Sequence, residues 1–170
     1  MKNIVLIGFM GTGKSSVGKI LSKKLGFKFI DVDKVIEKTT GMKISEIFSR
    51  FGEPRFRDIE SEVINLITQK NRQVIATGGG VVLREENMKK LKENGVIFCL
   101  KASENVIFER LKHCKDRPLL QVENPEKRIK ELLEKRKHLY EKADFCIDTE
   151  GLTPEQVTEK IIERLTDGKT

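Results

Sequence analysis

The sequence has few aromatic residues and few of the side chains that usually bind zinc. It contains no Trp and one Tyr, and no basic block is interleaved with aromatic residues, so nucleic-acid binding is not indicated despite a net charge of +7. Its three cysteines are odd in number and lack C-x-x-C spacing, which argues against a zinc site, and nothing in them implies an oxidising compartment. The two histidines have neither metal-site nor triad spacing. Cys99 and Cys146 lie in apolar strand-like runs and are predicted to be buried, whereas Cys114 lies in a polar stretch.

Long apolar runs are also missing. No segment approaches the ~18 consecutive apolar residues that a membrane span requires. The apolar run after Lys2 is short and leads directly into a glycine-rich loop, which is not the organisation of a secretion signal. Charged residues make up 35% of the chain and apolar residues 38%. We therefore expect a cytoplasmic protein, with residues 1–170 forming one domain.

A phosphate-binding pattern, G-x-x-x-x-G-K-[ST], spans residues 8–15. An apolar β-branched run precedes it and helically spaced apolar residues follow it, so the expected context is strand, tight loop and helix. Backbone N–H groups in such a loop, together with the helix dipole, favour a polyphosphate. Lys14 can reach the β- and γ-phosphates and Ser15 can ligate Mg²⁺. The predicted nucleoside-triphosphate contacts are Gly11, Thr12, Gly13, Lys14, Ser15 and Ser16.

Strand-like and helix-like patterns alternate along the chain. This alternation predicts an α/β protein with a largely parallel sheet between two layers of helices. The expected strands cover residues 4–7, 27–31, 74–76, 96–100 and 145–147. Neither helical nor strand-like spacing of apolar residues continues through residues 113–124. For a segment of this length without regular structure, an active-site lid is the preferred interpretation. Ligands bind at the carboxyl ends of parallel strands, so residues that follow strands should meet in one cleft.

Two acidic residues follow the second predicted strand. If the extended conformation continues through Asp31 and Asp33, both carboxylates leave the same side of the chain. Beside a triphosphate, one could orient hydrated Mg²⁺ and the other could accept a proton from an acceptor hydroxyl. The alternative is that Asp33 merely caps the next helix. The third strand is followed by Thr77 and three glycines, which predict either close approach of the backbone to a small ligand or a plain turn.

Four arginines are candidates for binding anions. Arg136 and Arg110 are in phase with the apolar residues of their helices, so each is expected to project from a buried stripe and Arg136 to meet an anion. For Arg136 the alternative is a cation near a helix C-terminus. Arg57 either has a buried role or forms a surface ion pair with Glu60. Arg117, in the predicted lid, could close over a transferring phosphate. Two inward arginines on different helices suit a planar carboxylate, so a small hydroxy acid is a plausible acceptor.

These motifs, in this order and spacing, resemble those of the shikimate kinases over about residues 2–165. The matching segments are Gly-Phe-Met-Gly-Thr-Gly-Lys-Ser at 8–15, Asp31-Val-Asp33, Phe56-Arg57-x-x-Glu60, Gly78-Gly79-Gly80, Arg117-Pro118-Leu119-Leu120 and Arg136-x-x-Leu139-Tyr140. The resemblance implies transfer of the γ-phosphoryl group of MgATP to the 3-hydroxyl of shikimate, in aromatic amino-acid biosynthesis. It also implies a P-loop, nucleoside-monophosphate-kinase-like fold with five parallel strands in the order 2-3-1-4-5, and we expect a monomer.

The resemblance further implies a role for each matching residue. Asp33 would bind the ring hydroxyls and act as base, within substrate-binding helices at about 33–61. The remaining roles are shikimate-carboxylate binding by Arg57 and Arg136 beside Gly78, Gly79 and Gly80, magnesium binding through Ser15 and Asp31, phosphate binding by Lys14 and Arg117, and an adenine contact at Arg110. Another small-molecule kinase, for gluconate or a nucleotide, is the nearest alternative. A GTPase is a more distant one, because D-x-x-G at 148–151 lies near the C-terminus and no guanine-reading Asn-Lys-x-Asp is present.

Overall fold

A computed structural model describes residues 2–114 and 117–168 of the chain. Its sheet has five strands in the order β2-β3-β1-β4-β5, and every neighbouring pair is parallel. The strands are β1 Asn3–Ile7, β2 Lys28–Asp31, β3 Gln73–Ala76, β4 Gly95–Lys101 and β5 Phe145–Asp148. The predicted α/β class and strand order are therefore confirmed.

Helices connect the strands and cover the sheet. The α-helices are α1 Lys14–Leu25, α2 Val32–Thr40, α3 Ile44–Ile67, α4 Glu85–Glu93, α5 Glu104–Leu111, α6 Pro125–Tyr140 and α7 Pro154–Asp167. Two 3₁₀ turns, at Val81–Leu83 and Pro118–Leu120, were not predicted. Among the described residues no helix is both long and apolar enough to cross a membrane.

The apolar residues form two cores, one on each face of the sheet. All five residues of β1 are buried, as expected for a central parallel strand whose two faces are both covered. Val17 and Leu21 of α1 pack with Val157 and Ile161 of α7 on one face. The larger core on the other face includes residues of α2 to α6. This arrangement gives the three layers that the alternating pattern predicted.

Local signals define the ends of several helices. The side chains of Ser103, Asn124 and Thr153 accept hydrogen bonds from backbone N–H groups in the first turns of α5, α6 and α7 and so cap these helices. Thr153 also forms a capping box with Gln156. Inside α3, Gly52 has φ 79° and ψ 169° and breaks the helix. Two helical stretches therefore lie between residues 44 and 67.

The prediction for the cysteines is wrong at one position. Cys99 is buried and Cys114 is half-buried, but Cys146 is exposed. The two strand cysteines are opposite each other in the register of β4 and β5. β5 lies at the edge of the sheet, with a neighbouring strand on one side, and an apolar sequence pattern does not distinguish an edge strand from a central one.

We predict that Gly95→Ala destabilises the protein by about 1–3 kcal/mol, as overpacking does in well-packed sites. A Cβ at Gly95 would lie 2.7 Å from the backbone oxygen of Leu91 and 3.0 Å from Val5, so the start of β4 would have to move. Urea denaturation followed by circular dichroism measures the change. Gly168→Ala is the matched control, because its added carbon would approach no atom closer than 3.5 Å. Equal midpoints for the two variants would contradict the prediction.

Candidate functional site

The loop after β1 has the backbone of a phosphate-binding loop. Gly13 has φ 91° and directly precedes α1, which begins at Lys14. Gly8 has φ 142°, and a Cβ there would lie 2.4 Å from the backbone oxygen of Leu100 in β4. Both positions therefore require glycine. The hydroxyl of Thr12 donates to the carbonyl of Phe9 at 2.8 Å and holds the turn.

Lys14 is buried inside this loop. Its Nζ donates to the carbonyl oxygens of Gly8 and Phe9, each at 2.8 Å. Burial lowers the pKa of Lys14 to about 8, although the nearby carboxylate of Asp33 opposes that shift. An ammonium group held by carbonyls alone, in a loop with this geometry, is suited to receive the oxygens of a polyphosphate.

The acidic pair lies at a helix start rather than in extended chain. α2 begins at Val32, and the carboxylate of Asp31 caps it by accepting from the backbone N–H of Lys34 at 3.3 Å. Asp33 lies in the first helical turn. The predicted extended run is therefore wrong, and so is the alternative in which Asp33 is the cap. Because Asp31 takes that role, the side chain of Asp33 is available for the cleft.

Ser15 and Asp31 form a small oxygen-rich group beside the loop. The Ser15 hydroxyl donates to Oδ2 of Asp31 at 3.0 Å. Burial raises the pKa of Asp33, and the neighbouring Asp31 raises it further, while Arg117 and Lys14 oppose the shift. Asp33 thus has the environment of a general base whose proton affinity exceeds that of an ordinary aspartate.

Arg57 forms a buried ion pair, so the surface interpretation is wrong. Its Nη1 donates to Oε1 of Glu60 at 3.0 Å and its Nη2 to Glu53 at 3.2 Å. Glu60 is fully buried, and burial raises its pKa despite the adjacent guanidinium. Its second oxygen, Oε2, has no hydrogen-bond partner among the described residues. The pair fixes the guanidinium of Arg57 over the Phe56 ring, with 5.0 Å from Cζ to the centroid.

Arg136 is buried as predicted and is left incompletely paired. It is 2% exposed, and its Cζ lies 5.8 Å from the centroid of the Phe9 ring. Within the described part of the chain, Nη1 of Arg136 and Nε of Arg117 are buried without a hydrogen-bond partner. Proximity to a helix C-terminus would account for a cation at Arg136 but not for its burial. Such a donor is costly unless an anion binds to it.

The glycines after β3 leave room for the charged side chains. A Cβ at Gly80 would lie 2.3–2.4 Å from the guanidinium of Arg57, and one at Gly78 would lie 3.1 Å from both Asp33 Oδ1 and Glu60 Oε2. Gly79 is less crowded than Gly80 but still close to its neighbours, because its Cβ would lie 3.2 Å from the backbone N of Met10. These glycines allow the β3 turn to pack directly against both the acidic and the basic side chains.

One cleft of about 510 Å³ collects these groups. The predicted site residues that line it are Gly11, Gly13, Lys14, Ser15, Ser16, Asp31, Asp33, Arg57, Gly78, Gly79, Gly80, Arg117 and Arg136. Thr12 is buried beneath it. Within the predicted lid, Lys115 and Asp116 lie outside the described residues. The predicted lid includes the 3₁₀ turn Pro118–Leu120, whose Leu120 joins the larger core.

Arg110 departs from its predicted position. It is exposed rather than part of the buried stripe, which consists of Ile107 and Leu111. The prediction that Arg110 projects from the buried stripe is therefore wrong, because its long side chain extends away from the core. Its Nη1 donates to the carbonyl oxygen of Gly11 at 2.9 Å, so it borders the phosphate loop from outside the cleft.

Two residues near the cleft were not predicted to have a role in the site. Phe9 is buried against the guanidinium of Arg136. Its hydrophobicity is the one sequence signal that could have indicated this position. Tyr140 is buried and its phenol donates to the carbonyl oxygen of Gly79 at 2.5 Å. Its place in the Arg136-x-x-Leu139-Tyr140 motif could have indicated it, since a spacing of four puts both side chains on one helix face.

Known proteins match this chain over nearly its whole length. The family model for shikimate kinase matches residues 10–166. A shikimate kinase of Thermodesulfovibrio yellowstonii is 79% identical, with 100% of both chains covered, and one of Caldanaerobacter subterraneus is 52% identical, with 95% of both covered. The structure of shikimate kinase from Acinetobacter baumannii in complex with shikimate superposes with a TM-score of 0.97, at 38% identity over 99% of this chain and 95% of that one. The chain belongs to the shikimate kinase family.

Proposed function

We propose that this protein transfers the γ-phosphoryl group of ATP to the 3-hydroxyl of shikimate, giving shikimate 3-phosphate and ADP. The observation that carries the proposal is the pair of buried guanidinium groups, Arg57 and Arg136, in the same cleft as Lys14 and Asp33. A planar guanidinium matches the geometry of a carboxylate and can pair with it bidentately, so two such groups suit an acid as acceptor. The family to which the chain belongs supplies the identity of the acid.

The nucleotide is bound by the phosphate loop. Backbone N–H groups of residues 11–16 and the N-terminus of α1 surround the phosphates, and Lys14 exchanges its carbonyl partners for phosphate oxygens. Arg117, whose Nε has no partner in the described part of the chain, meets the transferred group. Arg110 lies outside the loop, where the adenine is expected.

Ser15 and Asp31 would hold magnesium. Both offer hard oxygen ligands, and Mg²⁺ is usually bound through one or two carboxylates, substrate phosphates and water. Among the described residues no cluster of three or more His, Cys, Asp or Glu side chains could hold a metal alone, which agrees with a site completed by the nucleotide. When bound, the ion neutralises charge on the β- and γ-phosphates.

The acceptor occupies the part of the cleft between α3 and α6. Arg57 and Arg136 bind its carboxylate, and Gly78, Gly79 and Gly80 form the wall beside it. Asp33 orients the hydroxyl groups and accepts the proton of the attacking oxygen. Its raised pKa increases its affinity for that proton, while Lys14 and Arg117 keep the carboxylate form accessible. We further propose that the protein acts as a cytoplasmic monomer with a single domain.

The direct test is an assay that couples ADP release to a colour change, with one acceptor at a time. We expect turnover with shikimate and little with gluconate or nucleoside monophosphates. Nucleoside monophosphates have no carboxylate. Gluconate has one, but its open chain does not hold the carboxylate and the hydroxyl groups at the fixed spacing of a ring. Mass spectrometry of the product should show one added phosphoryl group. Turnover with gluconate or a nucleotide but not with shikimate would refute the proposal.

Arg136→Lys should raise the KM for shikimate by at least about tenfold, the range for losing a charge-assisted hydrogen bond. An ammonium cannot reproduce the forked contact of a guanidinium. Steady-state kinetics with each substrate varied in turn measures the effect, and the KM for ATP should change by less than about twofold. Arg128→Lys is the matched control on the same helix, because Arg128 pairs with Glu131 near the surface. An unchanged KM for shikimate would exclude the carboxylate role.

The pH dependence of kcat/KM for ATP should have two limbs. Lys14 must be charged to bind phosphate, so activity should fall as the pH rises through its pKa of about 8 in the free enzyme. Asp33 must be deprotonated to act as base, so activity should fall on acidification through a pKa above the ordinary value of 3.8. A profile from about pH 5 to 10 measures both limbs. Constant kcat/KM up to about pH 10 would contradict the assignment of Lys14.

A further inference from the structure

Tyr140 is the one tyrosine in the chain, which also lacks Trp. It ends α6, one turn after Arg136, and it is 5% exposed. Its phenol donates to the carbonyl oxygen of Gly79 at 2.5 Å, across 61 residues of sequence. A buried aromatic side chain needs no hydroxyl to fill space, so this hydrogen bond calls for a separate explanation.

The peptide that Tyr140 holds has little freedom. A Cβ at Gly79 would lie 3.2 Å from the backbone N of Met10 and 3.6 Å from Nη1 of Arg136. Gly79 is thus enclosed by the phosphate loop on one side and by the acceptor arginine on another. Its carbonyl is then fixed from a third direction by the phenol.

The orientation of that carbonyl determines the orientation of the next N–H group. The peptide between Gly79 and Gly80 is trans, so the N–H of Gly80 points opposite to the carbonyl of Gly79. The phenol belongs to the core beneath the turn, whereas Gly80 lines the cleft beside Arg57. In residues 2–114 and 117–168, no carbonyl or side chain accepts from the Gly80 N–H.

We propose that Tyr140 is a positioning residue for the acceptor: its phenol anchors the Gly79 carbonyl and thereby presents the Gly80 N–H, together with Arg136, to the acceptor anion. The inference rests on the proposed function. It adds that the direction of a backbone donor in the acceptor site is set from the core, through the Tyr140 phenol, and not by the ligand.

The ionisation of Tyr140 is consistent with this role. Burial raises the pKa of its phenol to about 12, although the guanidinium of Arg136 opposes the shift. The phenol therefore remains protonated, and able to donate, throughout the pH range in which the neighbouring Lys14 and Asp33 titrate.

Tyr140→Phe tests the proposal, because it removes the donor and keeps the ring. We expect the KM for shikimate to rise threefold to about fiftyfold, the range for loss of a buried hydrogen bond, with the KM for ATP changed by less than about twofold. Thr158→Val is the matched control. It removes a fully buried hydroxyl that donates to the carbonyl of Pro154 at 2.8 Å within α7, on the other face of the sheet.

The outcomes separate this proposal from the proposed function. Wild-type enzyme without shikimate turnover would refute the function itself. With an active wild type, a rise in shikimate KM below threefold in Tyr140→Phe, an equal rise for both substrates, or the same change in Thr158→Val would overturn the role of Tyr140. Each of those results would assign the hydroxyl to stability alone.

A second measurement does not require a folded variant. Because the chain has one Tyr and no Trp, its absorption and near-UV circular dichroism at wavelengths longer than the phenylalanine bands come from Tyr140 alone. Shikimate added to the wild-type protein without nucleotide should shift that band, since the acceptor anion would bind to Arg136 and to the Gly80 N–H, which belongs to the peptide that the phenol holds. Saturating shikimate that leaves the band unchanged, in enzyme that turns it over, would overturn the proposal.

Discussion

Two glycine-rich turns pack against each other at the carboxyl edge of the sheet, and their contact sets the distance between donor and acceptor. β1 and β3 are neighbours, with Leu6 opposite Ala76, so the turns that follow them leave the same edge. Thr77 ties the second turn to the first strand, because its backbone N–H and its hydroxyl both donate to the carbonyl of Leu6, at 3.1 and 3.0 Å. Phosphoryl transfer depends mainly on positioning, so this close packing of backbone matters more than any single side chain.

The charges around that contact are unfavourable for folding and favourable for binding. Lys14, Arg136 and Glu60 are buried, and Arg136 and Glu60 each keep an atom without a hydrogen-bond partner among the described residues. Burial of such groups destabilises a protein unless they are paired. The two apolar cores offset that cost, and two anionic ligands would pair with the buried cations Lys14 and Arg136. A cluster of side chains that destabilises the fold but can bind a ligand is typical of a functional site.

Sequence reasoning succeeded where the signal is local and failed where it depends on neighbours in space. The loop around Lys14 and the cap at Asn124 follow from short patterns, whereas the strand order came from family resemblance. Periodicity could not decide whether the helix begins before or after Asp33, since one residue changes which acid is the cap. Exposure of Cys146 depends on an edge strand, and burial of the Arg57 ion pair depends on the turn after β3, so neither could be read from spacing.

The two acceptor arginines are not equivalent. Arg57 is paired with Glu60 and Glu53, so its charge is largely balanced before any ligand binds and its main contribution is a fixed direction. Arg136 retains a buried donor without a partner in the described structure, and the neighbouring Phe9 ring supplies no hydrogen-bond acceptor oxygen. An entering carboxylate therefore gains most of its electrostatic free energy from Arg136, and Arg57 restricts its orientation. This division explains why one arginine needs a buried glutamate beside it and the other does not.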